Sequence, residues 1–133
     1  MLLYLSKESR HYIKRFASVA SCDVFDVPKA FFNFATDLLT DSELYVLMSS
    51  EEKKQENRRG TLDLDIEEVS EKVNERLGLH SAKGTKFKEN INKHKFLRAL
   101  IAVARFQNFE KIYAKYKIEK DIEGARALLK EQL

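Results

Sequence analysis

Residues 96–116 read FLRALIAVARFQNFEKIYAKY. From Phe96 to Ala104 the apolar side chains cover more than half of a helical circumference. A helix that is apolar nearly all round has to be central, with other helices packed on several sides. Burying each of its large side chains contributes roughly 1.5–3 kcal/mol, enough for this stretch to anchor a core. Neither glycine nor proline interrupts residues 85–123, so the pattern predicts one long helix from Thr85 through Phe87, Ile91, Phe109, Ile112, Tyr113 and Tyr116.

Outward from that segment the same reading repeats. The 133 residues hold only four glycines and one proline, too few turn formers for a sandwich or barrel of short strands. Ser6 is placed to cap a helix to about Ala20, with Tyr12, Ile13, Phe16 and Ala20 on one face. Ser21-Cys22-Asp23 reads as a loop. Asp26 before Val27-Pro28 reads as the start of a helix carrying Phe31, Phe32, Phe34, Leu38 and Leu39. Thr40-Asp41-Ser42-Glu43 is a capping box before Leu44, Leu47 and Met48. A wholly polar stretch, Ser49–Arg59, follows and ends at Gly60. Asp65-Ile66-Glu67-Glu68 reads as a second capping box, before Val69, Val73 and Leu77, a single stripe that Gly78 would stop. A last helix is expected over about Glu119–Gln132, with Gly124 inside it. The expectation is one all-α domain over residues 1–133. It is a compact bundle of about six helices with a long central C-terminal helix and a helix-turn-helix-like corner at about 65–98.

Apolar residues make up 44% and charged residues 34%, which excludes both a disordered and a membrane-embedded chain. Cys22 is the sole cysteine, so there is neither an intramolecular disulfide nor a cysteine zinc site. The opening Met-Leu-Leu-Tyr-Leu run ends at Ser6-Lys7-Glu8, too soon for a signal-peptide core. No apolar run reaches the roughly 20 residues that span a bilayer. A cytoplasmic protein without membrane contact is expected.

The net charge of +3 hides a strong asymmetry. Residues 1–60 balance, with nine basic and nine acidic side chains. Residues 61–80 carry two and six, and residues 81–120 carry eleven and three, a net +8. A basic block of this kind suits a polyanion. A capped, acidic-faced helix ending at Gly78, then apolar Leu79, then Ser81 heading a basic segment, has the order of a helix-turn-helix. His80, Ser81, Lys83, Thr85, Lys86, Lys88, Asn90, Lys93, Lys95 and Arg98 are the candidate nucleic-acid contacts. The lysines suit phosphates better than base edges, because residues 83–98 hold one arginine and no glutamine.

Leu39-Thr40-Asp41-Ser42-Glu43-Leu44, the helix at 65–79 and the basic segment after it together resemble the Leu-Thr-x-x-Glu pattern of the Trp-repressor-like group. The promoter-reading C-terminal region of sigma factors has a similar pattern. The resemblance covers residues 39 to about 95 and implies a transcription regulator docking a basic helix on duplex DNA.

Other chemistry is poorly supplied. His11, His80 and His94 lack ligand spacing, so no metal site is expected. Glu67, Glu68, Glu71 and Glu75 form a solvated face, and no Gly-rich phosphate loop exists. No cofactor and no catalysis are expected. The favoured partner is duplex DNA, bound by a homodimer whose contact comes from the N-terminal aromatic helices or from the long helix beginning at 85. RNA is an alternative polyanion. The competing reading is a helical adaptor or inhibitor whose basic face meets an acidic protein.

Overall fold

Short polar caps set most of the helix starts. The computed structural model describes residues 1–49, 60–80 and 93–133. Among them lie seven α-helices and one two-stranded antiparallel sheet, so the all-α class holds. The order is β1 (Leu2–Leu5), α1 (Lys7–Ala20), a 3-10 turn (Val24–Asp26), α2 (Val27–Leu38), α3 (Asp41–Ser49), β2 (Gly60–Asp63), α4 (Glu67–His80), α5 (Lys93–Ala104), α6 (Phe109–Lys117) and α7 (Ile122–Gln132).

Ser6 caps α1, its side chain accepting the Ser9 N–H at 3.1 Å. At α3 the capping box is reciprocal. The Glu43 N–H donates to Thr40 Oγ1 at 3.2 Å and the Thr40 N–H to the Glu43 carboxylate at 3.0 Å. Pro28 sits in the first turn of α2, although Asp26 makes no side-chain capping bond.

The sheet was not expected. Leu2 pairs with Asp63 and Leu5 with Gly60, joining two strands that lie nearly half the chain apart. Leu3 and Leu5 turn into the core, whereas Leu2 and Tyr4 face water. The Arg10 guanidinium lies over Gly60, the first residue of β2, where a Cβ would displace it. A further departure concerns Gly78, which does not stop its helix, since α4 runs on through it to His80. Glycine in a helix costs only about 1 kcal/mol relative to alanine. The buried stripe Val69, Val73 and Leu77 outweighs that. The second capping box is also offset. The Ser70 N–H donates to the Ile66 carbonyl, so α4 starts one residue later than a cap at Asp65 would give.

The long central helix is broken. It stops at Ala104 and resumes at Phe109, with turns closed by Phe106 N–H to Val103 O and Phe109 N–H to Phe106 O. The break is stabilised from a distance. Arg15 of α1 donates to the carbonyls of Ala104 at 2.7 Å and Phe106 at 3.4 Å, satisfying acceptors that the broken helix leaves open. The first half keeps its central place, since α5 packs against α1, α2, α3 and α4. Its Phe96, Leu97, Ala99, Leu100, Val103 and Ala104 are all buried.

The last helix also begins later than Glu119. Lys120, at φ 54°, turns the chain, and Asp121 caps the Gly124 N–H at 2.9 Å. Gly124 stands where that carboxylate leaves no room for a Cβ.

An aromatic block fills the centre. Phe16 meets Phe109 at 4.9 Å between ring centroids, Phe31 meets Phe96 at 5.4 Å, and Phe34 stacks on Tyr113 at 5.7 Å. These rings are buried within a single chain.

Candidate nucleic-acid interface

Of the ten residues singled out from sequence, Ser81, Lys83, Thr85, Lys86, Lys88 and Asn90 lie outside the described residues. His80 belongs to α4, which runs through Gly78, and the rest of the corner expected at Gly78–Ser81 lies outside the described residues. Lys93, Lys95 and Arg98 fall on the first turns of α5 and are half-buried. Lys93 reaches back to the N-terminal strand, its Nζ 3.6 Å from Met1 Sδ.

On α5 the side chains that reach the surface are Lys93, His94, Lys95, Arg98 and Ala102, followed by Arg105 just past its end. Lys93 lies apart, toward Met1, and the other five fall along one strip. α5 contains three lysines and arginines and no carboxylate.

The strip continues onto α1, which packs against α5. Arg105 lies over the Tyr12 ring at 5.9 Å, and His11 meets the same ring edge-on at 5.4 Å. Next to them Lys7, His11 and Lys14 are exposed at i, i+4 and i+7, opposite buried Ser9, Ile13, Phe16 and Ala17. None of these α1 residues was singled out from sequence. The signal was present but diluted: α1 holds four lysines and arginines and one acid, whereas residues 1–60 as a whole balance. The nearby acids are Glu8, exposed on α1, and Glu110, 3.7 Å from Arg15.

An open groove of about 600 Å³ is lined by Ser42, Glu43, Val46, Leu47, Lys130 and Leu133. Its carboxylate is occupied. Glu43 accepts from the Thr40 N–H and meets Arg126 at 3.1 Å and Lys130 at 3.7 Å. The Thr40 backbone bond, then these cations, hold its carboxyl below the usual range, which unsuits it to be a general acid. Burial, followed by the negative charge of Asp26 and Asp23, raises the Cys22 thiol and leaves it a poor nucleophile. Tyr116 donates to Asp37 at 2.6 Å, and burial together with that bond pushes its phenol far up. Among the described residues no three His, Cys, Asp or Glu side chains converge to hold a metal. No described helix is long and apolar enough to cross a membrane.

Comparison with known protein families, with characterised proteins and with solved structures returned no match. The reading of the site therefore rests on its own geometry.

Proposed function

We propose that this is a non-enzymatic, regulator-like DNA-binding protein that grips the duplex backbone through the cationic segment running into α5. The observation that carries this reading is the strip formed by exposed His94 and Arg105 with half-buried Lys95 and Arg98, on a helix whose described residues include no carboxylate. Lysine and arginine on a rigid helix neutralise phosphates and release counterions, which gives salt-dependent affinity without base readout. Duplex fits better than single strand, because six of the thirteen described Phe and Tyr rings are enclosed in the core and five more pack half-buried against it. The basic segment before α5 belongs to the same proposed surface by sequence.

The test is an anisotropy titration of random-sequence duplex DNA at several salt concentrations. The Lys86→Glu/Lys88→Glu/Lys95→Glu variant should lose most of the affinity while its helical signal persists. Undiminished binding by that variant would refute the assignment.

A protein partner is the second reading. Leu2, Tyr4 and Phe25 are exposed at 66%, 69% and 44%, more apolar surface than a nucleic-acid contact uses. Absence of any nucleic-acid affinity in the wild-type chain would favour it.

A further inference from the structure

We infer that α1 carries a second row of backbone contacts, Lys7, His11 and Lys14, so that a DNA duplex lies across both α1 and α5. The inference rests on the DNA-binding reading above and adds a surface that the basic block of residues 81–120 does not contain.

Position comes first. Lys7, His11 and Lys14 fall on one ridge of α1 and all three are exposed. Lys7 and Lys14 lie about 10 Å apart along the axis at 1.5 Å per residue. Packed helices sit roughly 8–10 Å apart, so the ridge and the α5 strip form two nearby rows. Tyr12 and Arg105 bridge them, with the guanidinium over the ring. A face about 18 Å long, the length of α5, covers roughly five base-pair steps of duplex at 3.4 Å each.

Charge comes next. On α4 and α7 the described cations face acids: Arg76 meets Asp41 at 2.7 Å, Lys72 meets Glu68 at 3.6 Å, and Arg126 and Lys130 share Glu43. Lys7 and Lys14 enter no ion pair among the described residues. Glu8 stands beside this row as the one acid of α1, and the row keeps a net positive charge that complements a phosphate strand. Exposed pairs elsewhere add little stability, so the lack of pairing at Lys7 and Lys14 carries little folding penalty.

The experiment uses the full chain and a labelled random-sequence DNA duplex, titrated by anisotropy between about 50 and 200 mM salt. Lys7→Ala/Lys14→Ala should weaken binding about tenfold and flatten the log–log salt slope by roughly 0.9 for each phosphate no longer neutralised. Lys7→Arg/Lys14→Arg should restore both. Thermal melts of both variants should match the wild type, since neither side chain supports the core. If Lys7→Ala/Lys14→Ala binds like the wild type while Lys86→Glu/Lys88→Glu/Lys95→Glu does not, the α1 contact is overturned and the α5 reading stands. If neither variant differs from the wild type, or the wild type does not bind, both are overturned. Tighter binding to single-stranded RNA than to duplex DNA would overturn the choice of ligand.

Discussion

α4 and α5 make an instructive pair. Each buries an apolar stripe, Val69, Val73 and Leu77 on one and Phe96, Leu100 and Val103 on the other, and the two helices pack together. Their outward faces are opposites. α4 shows Glu67, Glu68, Glu71 and Glu75 to water, whereas α5 shows His94 and, half-buried, Lys95 and Arg98. Packing dictates only the inner positions, so the sign of the outer charge is left for interaction with a partner. Fold and electrostatics therefore occupy separate positions and can be altered one at a time.

The largest effect should come from the inner faces. Leu100→Ala and Leu77→Ala should each cost about 2–5 kcal/mol in urea unfolding. The α5 change should be the larger, because α5 touches α1, α2 and α3 as well as α4. A greater loss at Leu77 would show that α4, not α5, is the central element.

Next come the outer faces. Lys95→Glu should weaken duplex binding about tenfold, and Glu71→Lys/Glu75→Lys should strengthen it severalfold, through the net field over the surface. Stability should move by no more than about 0.5 kcal/mol for surface changes of this kind. Equal and small effects of the two variants on affinity would remove the functional contrast between the helices.

Smaller again is the effect at the start of α3, a helix tied to α4 by Arg76 and Asp41. Thr40→Ala should cost about 1 kcal/mol in chemical denaturation, the usual value of an N-cap.

The smallest effect concerns acid. The Glu43 carboxyl is held below its ordinary value of 4.5, first by the Thr40 N–H. A lowered carboxylate stabilises the fold fully above that ordinary value, and the contribution is lost as pH falls through the lowered one. The stability gap between wild type and Glu43→Gln should be open at neutral pH and close in acid. A gap independent of pH would mean that the charge at this cap is immaterial.

Much of the fold was legible because its signals are local. Ser6 and the Thr40–Glu43 box announce helices through side chains three residues from the groups they cap. The all-round apolar run at 96–104 marks a central helix wherever its partners come from. The parts that escaped depend on distant residues. Leu2–Leu5 becomes a strand only because Gly60–Asp63 lies alongside, and Leu-Leu-Tyr-Leu shows no alternation in polarity. The break after Ala104 has no glycine or proline to mark it and relies on Arg15. For the candidate interface, charge counting found Lys93, Lys95 and Arg98 but hid Lys7 and Lys14, whose helix was averaged with acids from elsewhere.

The Arg15 contact also bears on the order of events during folding. Its acceptors at Ala104 and Phe106 follow it by 89 and 91 residues, so α1 cannot reach its final setting until the C-terminal half has emerged. On a ribosome adding about 5–20 residues per second, the N-terminal helix waits several seconds for its last partners. Loop closure of that span slows folding relative to bundles whose contacts are sequential. A nascent chain cut short before residue 104 would leave Phe16 without the Phe109 ring that covers it. Such a fragment should be a substrate for chaperones and proteases.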